Sequence, residues 1–172
     1  MKLFLIDPFA QKALLGDKLY ESVFRHLYES LKVAGAELHT YDKGNLGRAD
    51  LLIFFDHNPA LLQKSKAAGV PKSRRVLVIW EPETVLPGQY AQKVWEEYGR
   101  VITLRQDLAR KFGFERIYYP QSRELMPEFP GFNQRKFLVL INANKYSYVD
   151  GELYRLRRRA INYFEKSPGG DF

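Results

Sequence analysis

The sequence predicts an α/β fold with a Rossmann-like, doubly wound and mostly parallel sheet. Short apolar runs alternate with segments of helical periodicity along the 172 residues, which is the rhythm of βαβ units. Several of these runs are continuously apolar, as expected for parallel strands covered on both faces. Hydrophobic residues form 45% of the chain and aromatic residues 15%, which is sufficient for a sizeable core.

Seven apolar runs are interpreted as buried strands, at 3–6, 37–41, 51–55, 76–80, 101–104, 117–119 and 137–141. The clearest helical pattern covers 18–34, between a plausible N-cap at Asp17 and a stop at Gly35. A second helix begins at Asn58-Pro59, where a capping residue precedes proline in the first turn. Further helices are predicted at 89–97, 107–112 and about 151–165.

The distribution of these elements predicts more than one domain. Residues 1–122 form a Rossmann-like domain. Residues 123–134 contain two prolines and a glycine without periodicity, and are interpreted as a linker. Residues 135–172 supply one strand and one helix, the start of an incomplete second domain. The sequence therefore predicts a chain that is truncated within a two-domain protein.

Composition excludes several classes of function. The chain has no cysteine, which rules out disulfides, thiolate metal sites and cysteine nucleophiles. It contains no P-loop, no dinucleotide-binding Gly-x-Gly-x-x-Gly, no serine-hydrolase or zincin motif, and no Asp-x-Asp pair to hold a metal. The net charge of +7 favours a polyanionic partner such as nucleic acid, anionic lipid or a phosphate-bearing ligand. No apolar run approaches the roughly 18 residues of a membrane span, so a cytoplasmic protein is expected.

Polar residues follow three of the predicted strands, and ligands of parallel sheets bind beyond the carboxyl ends of strands. Asp7 follows the first strand, where a turn residue before proline is the simplest interpretation. Asp56, His57 and Asn58 follow the third strand. Helix capping explains this cluster, since Asp and Asn are favoured at N-caps. Substrate binding is the functional alternative.

Glu81 directly follows the fourth predicted strand, and Glu83 stands two residues later in the segment Glu-Pro-Glu. Carboxylates at a strand end can provide a general base, whose strength depends on burial and neighbours. A solvated turn explains the same residues without any chemistry. The residue pattern leaves both interpretations open.

The last predicted helix carries an apolar stripe that contains an arginine. The stripe consists of Leu153, Leu156, Ala160, Ile161 and Phe164, at helical spacing. Arg157 falls inside it, whereas Arg155, Arg158 and Arg159 point away. An arginine on a packed face needs a partner, because an unpaired buried charge is costly. That partner is either a structural carboxylate or a ligand phosphate, both of which guanidinium binds bidentately.

Two segments of the chain resemble glycosyltransferase family 10, the α-1,3/4-fucosyltransferases. The first is the apolar run 76–80 followed by Glu81-Pro-Glu. The second is the strand 136–141, the loop Asn142-Ala-Asn-Lys and a helix whose Tyr154-Arg-Leu-Arg matches the pattern Tyr-x-x-Arg. The similarity extends from about residue 51 onward and is more specific in the second segment.

The resemblance implies a GT-B-type enzyme with two Rossmann-like domains and inverting, metal-independent transfer from GDP-fucose to a glycan acceptor. By matching position, Glu81 is the general base. Arg157 binds the donor diphosphate, with Asn144 and Lys145 near it. The nucleotide sugar is a substrate, so no cofactor and no metal are implied. Because most of the donor domain is missing, we expect this chain alone to be inactive.

The resemblance makes residues 1–122 the acceptor-side domain. Besides Arg157, Asn144 and Lys145, the candidates for substrate binding are Glu83, Asp56 and His57. A second hypothesis is a non-catalytic basic α/β module that binds RNA or an anionic membrane surface through tyrosines and arginines of its last 30 residues or so. Aromatics among arginines suit base stacking with phosphate contact, although no RNA-binding signature is present. On the leading hypothesis nucleic acid is not a partner, and peripheral contact with the inner face of the membrane stays open.

Overall fold

The computed structural model describes residues 2–7, 24–119, 131–134 and 145–166. The chain divides into two compact units, Met1–Tyr119 and Pro120–Phe172, which are described separately. The predicted strand at 137–141 and the first part of the predicted helix at 18–34 lie outside the described residues.

A parallel sheet of six strands forms the centre of the first unit, in the order β2-β1-β3-β4-β5-β6. The strands are β1 (Lys2–Asp7), β2 (Ala36–Thr40), β3 (Leu51–Phe55), β4 (Arg75–Ile79), β5 (Arg100–Thr103) and β6 (Glu115–Arg116). All five strand pairs are parallel. The predicted α/β class with a mostly parallel sheet is confirmed.

The strand predicted at 117–119 is misplaced. The sixth strand ends at Arg116, which pairs with Thr103, the last residue of β5. Pairing cannot continue further because the neighbouring strand has ended, although the Ile117 amide still donates to the Thr103 carbonyl at 3.0 Å. Apolar character alone did not reveal where the neighbour stops.

The helices of the first unit are α1 (Arg25–Val33), α2 (Pro59–Ala67), α3 (Gln92–Trp95) and α4 (Gln106–Phe112). The predicted cap of α2 is confirmed, because the Asn58 side chain accepts from the Leu61 amide at 3.1 Å. The helix predicted at 89–97 is instead divided into a 3₁₀ turn (Pro87–Tyr90) and α3. The division falls at Ala91, whose backbone is extended.

The sheet is covered on two faces. On one face, strand residues such as Leu52 and Phe54 pack with Leu61 of α2 and with Trp95. On the other, Phe55 and further strand residues pack with Phe24 and with partly buried residues of α1. Every residue of β4 is buried, which explains the continuous apolar run of this strand.

The strand order reverses between β1 and β3. From β1 the chain passes first to β2 on one side of β1, and then returns to β3 on its other side. In open parallel sheets, ligands bind at such a reversal, beyond the carboxyl ends of the strands. The residues that end β1, β3 and the adjacent β4 are therefore candidates for a ligand-binding site.

The second unit contains α5 (Tyr154–Glu165) and a 3₁₀ turn at Phe132–Gln134. The fifth helix begins three residues later than predicted, since Gly151 has a φ of 78° that a right-handed helix does not allow. None of the helices within the described ranges is long and apolar enough to cross a bilayer.

Gly99 provides a test of the packing at the start of β5. A Cβ added at this position would lie 2.7 Å from the Lys72 carbonyl oxygen and 2.7 Å from the Ser73 Cα. Since both atoms are backbone, we expect Gly99→Ala to lower the free energy of unfolding by about 1–3 kcal/mol. Urea denaturation measures this change.

Gly88→Ala is the matched control, because a Cβ at Gly88 meets nothing within 4 Å. We expect its effect to stay within about 0.5 kcal/mol. Equal effects of the two substitutions would show that the close approach at Gly99 is not a packing constraint.

Candidate functional site

Asp7 ends β1 at the reversal of strand order and is fully buried. Its Oδ2 accepts a hydrogen bond of 2.8 Å from the Asn58 side-chain amide. Asn58 therefore has two roles, since its Oδ1 caps α2 while its Nδ2 binds the end of β1. The interpretation of Asp7 as a turn residue is wrong, because it is part of the sheet.

The second carboxylate oxygen of Asp7, Oδ1, is buried without a hydrogen-bond partner among the described residues. Burial disfavours the charged form and raises the pKa of Asp7 to about 6, and the Asn58 hydrogen bond offsets part of this rise. A perturbed carboxyl at a strand reversal is a frequent feature of functional sites. For Asp7, the sequence indicated only the position at the end of a strand and not the burial of the side chain.

Asp56 follows β3 and holds the end of β4. Its Oδ1 accepts three hydrogen bonds, from the Trp80 amide at 2.8 Å, the Glu81 amide at 2.9 Å and the Gln89 side chain at 2.9 Å. Asp56 is only 4% exposed, and its φ of 65° is unusual for a residue other than glycine. The capping interpretation therefore applies to Asn58 and not to Asp56, which binds a different segment.

The backbone amide and the backbone carbonyl of Glu81 are both hydrogen-bonded to side chains. In addition to its amide bond to Asp56, its carbonyl oxygen accepts from Gln89 Nε2 at 3.0 Å and from the Tyr90 hydroxyl at 2.8 Å. Its own carboxylate has no hydrogen-bond or ion-pair partner in the part of the chain that the structure describes. A solvated turn would not need three side chains to hold it.

Gln89 and Tyr90 are members of the site that sequence reasoning missed. The Gln89 side chain is buried between Asp56 and Glu81, and its Oε1 accepts from the His57 amide at 3.1 Å. Its carbonyl oxygen accepts from the Trp95 indole at 2.7 Å. Neither residue belongs to a recognisable motif, so only their position in the fold identifies them.

His57 is half-buried, and its Nδ1 lies 2.7 Å from the hydroxyl of Tyr98. Burial lowers the pKa of His57, while the nearby charge of Glu97 opposes the change. Burial also raises the pKa of Tyr98, so this phenol keeps its proton at neutral pH. The histidine is thus a positioned, neutral group at the end of β3.

Glu83 differs from Glu81 in its surroundings. Its carboxylate is exposed and lies 3.7 Å from Arg105 Nη1. Arg105 also pairs with Asp107, and its guanidinium lies over the Tyr90 ring at 5.8 Å. Of the two carboxylates that the sequence proposed, only that of Glu81 is without a cationic partner among the described residues.

The second unit places Arg157 on an exposed surface, with its guanidinium 5.7 Å from the centre of the Tyr154 ring. The prediction of a packed stripe is wrong here, because Leu153 and Leu156 are 56% and 59% exposed and α5 has no buried residue. Helical spacing defines which residues share a face, but only tertiary contacts bury it. Lys145 is exposed, and Asn144 lies outside the described residues.

Arg155 and Arg159 are exposed, as expected for a solvated face, while Arg155 and Arg158 also have local partners in the second unit. Arg155 binds the carboxylate of Glu152 at 2.7 Å, and the same carboxylate accepts from the backbone amides of Tyr154 and Arg155. The guanidinium of Arg158 lies 4.4 Å from the centre of the Tyr146 ring. Both arginines therefore have a contact within the second unit, and only that of Arg155 involves a residue that binds the first amides of α5.

Within the described ranges, no group of three or more His, Asp or Glu side chains is arranged to hold a metal ion. Comparison with known protein families, curated proteins and solved structures finds no match to this chain. The arrangement of its side chains is consequently the basis for inferring a function.

Asp7 generates a pH-dependent prediction. A carboxyl whose pKa is about 6 in the folded state, against 3.8 ordinarily, destabilises the fold when it ionises. This cost is absent below about pH 4, grows between the two pKa values and reaches up to about 3 kcal/mol above pH 6. Asp7→Asn keeps an acceptor for Asn58 and removes the charge, so we expect it to be more stable than the wild type at pH 7.5.

Urea denaturation of both proteins between pH 4 and pH 8 measures this difference. The variant should exceed the wild type in free energy of unfolding by close to zero at pH 4, and this difference should grow through pH 6. A difference that stays constant across this range would contradict the assignment of the shifted titration to Asp7.

Proposed function

We propose that this chain carries the acceptor side of an inverting, metal-independent glycosyltransferase in which Glu81 is the general base. The observation that carries the proposal is the contrast within Glu81 itself. Its backbone is bound by Asp56, Gln89 and Tyr90, whereas its carboxylate has no partner among the described residues. This combination suits a group that must be positioned accurately and yet stay available to a substrate.

The proposed reaction needs a general base that takes the proton from the acceptor hydroxyl. The acceptor hydroxyl oxygen forms a bond to the anomeric carbon of the donor while the bond from that carbon to the diphosphate oxygen breaks. The hydroxyl proton passes to the Glu81 carboxylate, and the bonding electrons leave with the diphosphate. An arginine stabilises the charge that develops on this leaving group, and we propose Arg157 of the second unit for that role.

The donor and the architecture are proposed from the resemblance to glycosyltransferase family 10. They comprise GDP-fucose, a glycan acceptor and a GT-B arrangement of which this chain is the N-terminal part. The positive net charge is compatible with a ligand that carries a diphosphate. We propose a cytoplasmic enzyme that can contact the inner face of the membrane peripherally.

We propose different roles for the candidate residues. The Oδ1 of Asp56 is occupied by three donors, so we propose that Asp56 supports Glu81 and does not bind substrate through that oxygen. Glu83 holds Arg105 and thereby the loop beside Glu81. His57 follows β3 at the same edge of the sheet, and its Nε2 has no partner among the described residues.

Replacement of the base tests the proposal. With the complete gene product, GDP-fucose and a panel of oligosaccharide acceptors, we expect Glu81→Gln to lower kcat by about 10²- to 10⁴-fold, because the amide cannot accept the proton. The binding of GDP-fucose should be unaffected. Radiolabelled fucose transfer measures the rate.

Glu96→Gln is the matched control, since Glu96 is an exposed residue just after α3 whose carboxylate accepts a hydrogen bond of 3.1 Å from the Gln92 side chain. We expect wild-type rates from it. Full activity of Glu81→Gln would exclude Glu81 as the base, and absence of transfer from any nucleotide sugar in the wild type would refute the enzymatic proposal.

A second candidate function, binding of single-stranded RNA, is favoured by one observation in the second unit. Tyr148 is fully exposed, and Tyr146 is 64% exposed beside the guanidinium of Arg158. Exposed tyrosines among arginines can stack on bases while the cations contact phosphates. We rank this candidate second, because it assigns no role to the buried contacts around Glu81.

Substitution of Arg158 and Arg159 by glutamine separates the two candidates while it spares Arg155, which helps to cap α5. We expect fucose transfer by this double variant to equal the wild type within twofold. A module that binds RNA would instead lose affinity. In fluorescence anisotropy with a uridine oligomer, the slope of log K against log salt would fall by about 1.4, for two lost phosphate contacts.

A further inference from the structure

The hydrogen bond between Tyr98 and His57 has a definite direction. The Tyr98 side chain is 3% exposed, and its hydroxyl has His57 Nδ1, at 2.7 Å, as its hydrogen-bond partner within the described part of the chain. A buried hydroxyl hydrogen needs an acceptor, because an unpaired one has lost its hydrogen bond to water without a replacement. The phenol therefore donates and Nδ1 accepts.

This direction determines the protonation of the imidazole. A neutral histidine carries one proton, so an Nδ1 that accepts leaves the proton on Nε2. Burial keeps the pKa of His57 below its ordinary value, which favours the neutral ring at physiological pH. The Nε2–H group has no partner among the described residues, and the side chain is only half-buried. It is a donor that can bind a ligand.

His57 and Glu81 are connected through a single side chain. The Oε1 of Gln89 accepts from the His57 amide at 3.1 Å, and its Nε2 donates to the Glu81 carbonyl at 3.0 Å. The backbones of His57 and Glu81 therefore lie on either side of one buried amide group. The ends of β3 and β4 thus present a neutral donor and a carboxylate at the same edge of the sheet.

We infer that His57 donates from Nε2 to an oxygen of the sugar acceptor, and that Tyr98 is the positioning residue that locks this tautomer. The inference rests on the proposed function and adds the class of acceptor to it. A hydroxyl both accepts from His57 and donates to Glu81, so a ligand with neighbouring hydroxyls satisfies both groups. The Glu81 carboxylate disfavours an anionic group at the hydroxyl that it binds, since like charges repel.

The tautomer is tested first, on the full chain labelled with ¹⁵N-histidine. His26 and His39 are both exposed and serve as internal references for the three imidazole signals. We expect the long-range ¹H–¹⁵N spectrum at pH 7.5 to show His57 with the proton on Nε2. In Tyr98→Phe the signal should move towards the tautomer mixture of the references. A proton on Nδ1 in the wild type would overturn the inference.

Ligand binding is tested next, with lactose, N-acetyllactosamine and galactose as neutral probes and glucuronic acid as an anionic one. We expect a neutral sugar to shift the His57 signal and leave those of His26 and His39 in place. The His57→Phe substitution removes one hydrogen bond to the ligand. It should weaken the binding of that sugar by about 3- to 10-fold. Backbone amide spectra confirm that the variants are folded.

The outcomes separate this inference from the proposed function. If the complete gene product transfers fucose with an acceptor KM that His57→Phe and Tyr98→Phe leave unchanged, the function stands and the role of His57 is overturned. If no sugar shifts the His57 signal and no transfer occurs, both are overturned. If His57→Phe and Tyr98→Phe each raise the acceptor KM, and only Glu81→Gln lowers kcat, the result supports the role of His57 as well as the proposed function.

Discussion

The buried carboxylate of Asp56 is the interaction on which the candidate site depends. One of its oxygens binds two consecutive amides after β4 and the side chain of Gln89, so a residue of one strand end determines the path of the next. A carboxylate removed from water needs such partners, because burial without them costs several kcal/mol. The left-handed backbone of Asp56 is maintained by the same contacts.

From Asp56 the network extends to groups that can perform chemistry. Gln89 and Tyr90 hold the carbonyl of Glu81, and Gln89 also holds the amide of His57. His57 and Glu81 are held through their backbones, which leaves the Glu81 carboxylate and the His57 Nε2 without a partner among the described residues. The proposed base and hydrogen-bond donor need accurate positioning of this kind.

Sequence reasoning was most accurate where periodicity decides the structure. The continuous apolar runs located β1 to β5 to within about a residue, and the Asn-Pro pair located the start of α2. Sequence reasoning was inaccurate where contacts with another segment of the chain determine where an element ends. The sixth strand ends with its partner at Thr103, and the predicted helix around Gln89 is divided because that side chain is needed in the buried network.

The sequence by itself determined the α/β class, the parallel strands and the position of Glu81 at a strand end, because burial on both faces leaves a pattern in consecutive residues. Only the tertiary structure decided which polar residues act together. The contacts among Asp56, Glu81 and Gln89 join positions that are 8 to 33 residues apart. Hydrogen bonds across such separations leave no local periodicity, and they arise only when the chain has folded and removed these groups from water.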